Sequence, residues 1–263
     1  MQFGPGTPAL AGLNFAANLS MLFTELPLLA RIGAAAEAGF EAVEILFPYQ
    51  VAAAELKAEL DRHDLPLVLI NTPPGDFAAG ERGFAAVPGA EQRFAVAMRQ
   101  AAEYARAADC PRVHVMAGIA AADAAGEATF IANLRQAAET GLTILIEPLN
   151  PFDMPGYFLS RIEQAAGIVQ AVNLPNVRLQ FDIYHAQMWG GDLARRLARH
   201  LPVTGHIQIA GVPGRHEPDH GEINYSFLFD LIARSGYDGY VGCEYRPRAG
   251  TLAGLTWLRN TGL

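Results

Sequence analysis

The chain has 263 residues, 51% hydrophobic and 17% charged, which is enough apolar material for a large buried core and excludes a disordered protein. Its formal net charge of −8 argues against nucleic acid as a partner, because phosphate binding needs clustered Lys and Arg. Cys110 and Cys243 stand far apart in no CxxC spacing and read as free thiols of a reducing compartment. In chain order, an apolar run at 13–18 is followed by a helix-patterned segment at 25–38, a run at 42–47 by one at 51–63, and a run at 65–71 by one at 90–108. Then come 112–117 with 129–140, 143–147 with 160–172, 177–182 with 193–200, 205–209 with 225–235, and 240–244 with 252–259. The short runs have strand length, whereas the longer segments repeat apolar residues at three and four, the mark of a helix with one buried face.

Strands that alternate with helices imply right-handed crossovers and a parallel sheet. Eight such units in a chain of this length predict a closed (β/α)₈ TIM barrel, an α/β fold, over residues 1–263 as one domain. An open doubly wound sheet is the rival, but no GxGxxG turn follows Asn18. No linker or charge block interrupts the alternation. The longest irregular stretch, residues 72–89, has the length of a binding loop or lid. No run of 18 apolar residues is present and the opening MQFGPGTPALAG has no charged n-region, so neither membrane association nor a signal peptide is expected, and the expected address is cytoplasmic.

In a TIM barrel the chemistry sits at the C-terminal ends of the strands. Glu147, Asp182 and Glu244 end the fifth, sixth and eighth candidate strands, and Gln208 lies within the seventh. Each emerges from an apolar run, where an uncompensated carboxylate is costly and three together repel. One divalent metal resolves that conflict, and an all-oxygen ligand set favours Mg²⁺ or Mn²⁺ over Zn²⁺. Against this stands the simpler reading that each acid pairs with an arginine or caps a helix.

His185, just past Asp182, is placed to hydrogen-bond a substrate oxygen, and Arg215 offers a planar fork to a carboxylate. Asn150 and Asp153 follow Glu147 closely. Asp153 suits either a substrate hydroxyl or the cap of a turn. Glu44, His114 and His206 read as core or supporting residues, and Glu217 and Glu222 as structural ties of the loop that holds Arg215.

These residues also carry a family likeness. The strings FAANLSMLFTELPLLARIGAAAEAGFEAVEILFP (15–48), PGDFAAGERGFAAVPG (74–89), IEPLNPFDMPGY (146–157), FDIYHAQ (181–187), HIQIAGVPGRHEPDHGEINY (206–225) and GCEYRP (242–247) resemble the hydroxypyruvate isomerase family, one of the xylose-isomerase-like barrels. The resemblance spans nearly the whole chain. It implies Glu147, Asp182, Gln208 and Glu244 as metal ligands, Glu147 and Glu244 as proton shuttles, and His185 and Arg215 near the substrate. The strings around Asn71 to Asp76 and Val113 to Gly118 are shared with a sister group, the 2-oxo-tetronate isomerases.

The implied reaction takes hydroxypyruvate to tartronate semialdehyde by proton transfer through an enediolate, with one glutamate removing a proton and the other returning one. The expected partner is thus a small anionic sugar acid, and a homo-oligomer is compatible with the sequence. A Schiff-base aldolase would need a strand-end lysine, but the sole lysine, Lys57, falls mid-helix. A metal-dependent endonuclease would need a basic groove. A sugar-acid binding protein would have no use for two facing glutamates. A ketose 3-epimerase could share metal and glutamates, and Arg215 is the feature that favours an acid over a neutral sugar.

Overall fold

The computed structural model describes residues 12–259; residues 1–11, on which the expectation about a leader rests, lie outside them. Eight strands pair in parallel in chain order: β1 (Asn14–Asn18), β2 (Ala42–Ile45), β3 (Leu67–Asn71), β4 (Arg112–His114), β5 (Thr143–Ile146), β6 (Val177–Asp182), β7 (Thr204–Ile209) and β8 (Tyr240–Cys243). β8 returns to pair with β1 and closes the barrel. The surrounding helices are α1 (Leu28–Glu37), α2 (Ala53–Arg62), α3 (Glu91–Ala107), α4 (Ala124–Ala138), α5 (Ile162–Val172), α6 (Ile183–Met188), α7 (Leu193–His200), α8 (Tyr225–Arg234), α9 (Thr251–Gly254) and α10 (Thr256–Arg259).

Two periodicities build this architecture. Successive strand residues face opposite sides. Val43 and Ile45, Ile144 and Ile146, Leu179 and Phe181, and Ile207 and Ile209 join the large apolar core together with the helices. The helices answer with stripes such as Phe94, Ala97, Met98, Ala101, Ala102 and Ala105 on α3, spaced three, one, three, one and three. Burying a side chain such as Phe94 contributes roughly 1.5–3 kcal/mol.

The opposite faces of the strands fill the lumen, and there the fold departs from the usual branched aliphatic layers. Ala16, Ala42 and Val68 form a small separate apolar cluster. One step further along the strands the fill turns polar: Asn18, Glu44, Gln180, Asp182, His206 and Gln208 are all buried. β2 and β7 are not neighbours in the sheet, so the bond from Gln208 Nε2 to Glu44 Oε1, 2.8 Å, must cross the lumen.

Several boundaries differ from those read in the sequence. β4 stops at His114 rather than 117, because Met116 and Ala117 turn their carbonyls to the N–H groups of Ala85 and Ala86 in the long loop. Gly83 of that loop, at φ +98, lies so close that a Cβ there would sit 2.3 Å from the Met116 carbonyl oxygen. α4 begins at 124 rather than 129, since Asp123 accepts the Gly126 N–H at 2.9 Å and caps it. The closing helix is divided into α9 and α10. Lys57 lies on α2, paired with Asp61 at 2.5 Å and Asp109 at 3.3 Å, away from any strand end. Among the described residues no helix is long and apolar enough to cross a membrane.

Candidate active site

Glu147 follows the last residue of β5, Asp182 is the last residue of β6, and Glu244 follows the last residue of β8. Parallel pairing in register sets Asp182 beside Gln208. All four side chains are buried at the same end of the barrel. Burial, then the charges of Glu244 and Asp182, push the Glu147 carboxyl well above the usual carboxylate range. Asp182 is raised by burial, with Arg215 working against the rise. Burial lifts Glu244 to about 8, again partly offset by Arg215.

The acids are only partly compensated. Arg215 Nη2 lies 2.9 Å from Glu244 Oε1 and 3.7 Å from Asp182 Oδ2. Asp182 Oδ1 accepts the N–H groups of Tyr184 and His185 at the head of α6. Yet Glu147 Oε1, Asp182 Oδ2 and Glu244 Oε2 are buried with no hydrogen-bond partner. Three orphaned carboxyl oxygens facing one guanidinium form a donor set that a hard divalent cation satisfies.

Ligand atoms of Glu147, Asp182 and His185 lie within 4.8 Å of one another, so geometry alone would admit His185 to the metal. Its tautomer argues otherwise. His185 Nδ1 receives the Asn150 backbone N–H at 3.1 Å and lies 2.7 Å from Asn150 Nδ2. Burial and Arg215 hold the ring well below its ordinary pKa, hence neutral. With Nδ1 accepting, the proton sits on Nε2, 3.8 Å from Asp182 Oδ2. An Nε2–H is a donor to an oxygen and has no lone pair for a metal.

Asn150 and Asp153, read from the sequence as substrate contacts, stand behind other residues. Asn150 is fully buried and its Oδ1 accepts the N–H groups of Phe152 and Asp153. Asp153 Oδ2 accepts from Asn150 Nδ2 at 2.9 Å and from the Tyr184 hydroxyl at 2.8 Å. The Tyr184 ring in turn lies under the Arg215 guanidinium, 5.0 Å from its centre. Arg215, predicted to reach a substrate from a loop, has a side chain only 14% exposed and turned into the acid cluster, and its Nε has no partner.

His114 Nδ1 lies 3.4 Å from Glu147 Oε2, and burial lowers its pKa to about 3. Glu217 accepts the Arg248 N–H at 3.0 Å and Glu222 the Gln187 amide at 2.9 Å, tying down the loop that carries Arg215. Two participants escaped the sequence reading. Gln180, which donates to Gln208 Oε1 at 2.6 Å, is legible in hindsight from strand period, two residues below Asp182. Tyr184 had no signal without α6.

Residues 32–261 match the family profile of the xylose isomerase-like TIM barrels. The chain is 54% identical to a 2-oxo-tetronate isomerase of Cupriavidus necator, covering 94% of this chain and 97% of that protein. It is 44% identical to the hydroxypyruvate isomerase of Escherichia coli K12, covering 94% and 98%. Among solved structures, one described as an AP endonuclease, family 2, from Brucella melitensis superposes with a TM-score of 0.90 at 50% identity, covering 94% and 98%.

Proposed function

The chain belongs to the xylose isomerase-like TIM barrel family and is an isomerase of a small sugar acid, and from that premise we propose that it moves a carbonyl between C2 and C3 of a 2-oxo-3-hydroxy carboxylate. The observation that carries this reading is the trio of buried carboxylates with one unpartnered oxygen each. Glu147, Asp182, Gln208 and Glu244 would hold one divalent cation, Mg²⁺ or Mn²⁺. When bound, it polarises the substrate carbonyl and the neighbouring hydroxyl and so acidifies the C–H of the hydroxyl-bearing carbon.

The residues then divide the work. One of Glu147 and Glu244 removes the C3 proton and the other delivers a proton to C2, through an enediolate of the substrate. Burial raises both carboxyls in the metal-free site, and the bound cation would draw them back toward the ionised form that a base needs. His185 donates Nε2–H to a substrate oxygen, in the tautomer that Asn150 imposes. Arg215 presents its fork to the substrate carboxylate while stacked on Tyr184, which Asp153 holds. Asn150 and Asp153 thus act on the substrate through His185 and Arg215.

On this reading hydroxypyruvate yields tartronate semialdehyde. The segment after Glu147 supports that three-carbon substrate. A second reading, the four-carbon 2-oxo-tetronate, is favoured by the higher identity to the Cupriavidus necator isomerase. The net charge of −8 and the acid-lined mouth oppose a nucleic-acid substrate. The buried free thiols Cys110 and Cys243 suit a reducing, cytoplasmic setting. One barrel over the described residues suffices for this work.

The test is to incubate protein and Mg²⁺ with each acid and follow products by NMR. Conversion of one or both is expected, and the ratio of kcat/KM values assigns the carbon number. Binding of both without turnover would replace the isomerase by a binding protein.

A further inference from the structure

Glu44 is fully buried in the lumen, on β2, two strands away from the nearest of the three catalytic-site acids. Nothing in the reaction calls for a fourth carboxylate there, and its charge helps to raise Glu147, Asp182 and Glu244. The fold nevertheless makes room for it. Gly242 of β8 packs against this carboxylate so closely that a Cβ would sit 2.4 Å from Glu44 Oε2. Three donors converge on it: Asn18 Nδ2 at 2.9 Å and Gln208 Nε2 at 2.8 Å on Oε1, and His206 Nε2 at 2.7 Å on Oε2.

A side-chain amide has two faces of opposite polarity, and only its surroundings decide which way it turns. A carboxylate is acceptor-only, so Glu44 compels Gln208 to direct its NH₂ toward β2 and its carbonyl oxygen the other way. The same choice propagates, because Gln180 must then offer its NH₂ to Gln208 Oε1, 2.6 Å away. One of the two lone pairs of that carbonyl is used by Gln180, and the second remains for a cation. Had the amide turned over, a donor would face the metal site.

We propose that Glu44 is a positioning residue that locks the Gln208 amide in its ligating orientation, with Gly242 kept as glycine to admit the carboxylate. The inference rests on the metal site proposed above. Outer partners of this kind commonly govern metal affinity by 10- to 100-fold.

The experiment is a calorimetric titration of Mn²⁺ into demetallated protein, alongside thermal melts of the metal-free forms. In Glu44→Gln the new amide meets three donors. Its NH₂ is left against one of them unless His206 moves its proton to the buried Nδ1, where no partner accepts it, or Gln208 turns over to accept from the new amide. The Kd for Mn²⁺ should therefore weaken about 10- to 100-fold. Adding Gln208→Glu should bring it back to within a few-fold of wild type, since a carboxylate accepts from residue 44 and still ligates. A wild type that binds no Mn²⁺ would remove the metal site itself. Tight wild-type binding with an unchanged Glu44→Gln would overturn the role of Glu44 alone, as would weakened binding that Gln208→Glu does not restore. Should Glu44→Gln not fold, NMR of the wild-type Gln208 side-chain amide decides. Protection from exchange supports the lock, and exchange as fast as that of an exposed glutamine contradicts it.

Discussion

Arg215 Nη2 lies 2.9 Å from Glu244 Oε1, and this contact joins the residue proposed to hold the substrate carboxylate to one proposed to move a proton. The guanidinium opposes the rise that burial imposes on Glu244. Arg215→Ala therefore raises the Glu244 pKa further. The ascending limb of the pH–rate profile, where the base must be ionised, should move to higher pH. The variant should also lose about 1.5–3 kcal/mol in kcat/KM for sugar acids, the range for a hydrogen bond to a charged group, and little on a neutral ketose. Arg215→Lys should restore more of the pH limb than of the affinity, because an ammonium keeps the charge and lacks the fork. Equal losses on acids and neutral ketoses would make Arg215 a shaper of its loop and favour a ketose epimerase.

The glutamates make a second prediction. Glu147→Gln and Glu244→Gln keep shape and remove basicity, so each should lower kcat by at least about 10²-fold. The double variant should cost much less than the product of the two, since both residues serve one proton path. Elemental analysis of each variant separates lost chemistry from lost metal. Turnover near wild type in either would dismiss that residue from the path.

Metal removal should change how stability depends on pH. Glu147, Asp182 and Glu244 have folded-state pKa values raised above those of the unfolded chain, Glu244 to about 8. In the metal-free protein the folded state then binds more protons than the unfolded one between roughly pH 4.5 and 8. Stability must fall as pH rises through that window. Calorimetric Tm values of EDTA-treated protein should decline from pH 5 to pH 8, and added Mg²⁺ should flatten the curve. A metal-free Tm that rises over the same range would show that these carboxyls are ionised and well satisfied.

How far the sequence reads is a matter of which interactions are local. The acids of β5, β6 and β8 stood out because each breaks the apolar period of its own strand end. α6 did not, because Asp182 is at once the last strand residue and the helix cap, leaving no turn residue between strand and helix. The lock on Gln208 was not legible at all. It depends on side chains of β2, β6 and β7 meeting across the lumen, so Glu44 reads from its strand as a supporting residue while its partner Gln208 does not show there. The sequence sets Arg215 just past β7, but its contacts with Glu244, Asp182 and the Tyr184 ring depend on that same helix. Asn150 and Asp153 were drawn to the substrate by nearness to Glu147, whereas hydrogen bonds across 31 to 35 residues turn them toward Tyr184 and His185.

The most direct test of the two-glutamate path is to run the reaction in D₂O and read the product by NMR. With separate bases on the two carbons, the proton taken from C3 is not the one delivered to C2. The product should carry deuterium at C2 in a single turnover, and the label should vanish together with activity in Glu244→Gln. Complete retention of the substrate's own protium at C2 would mean a hydride shift or a single shielded base and would contradict the two-glutamate path.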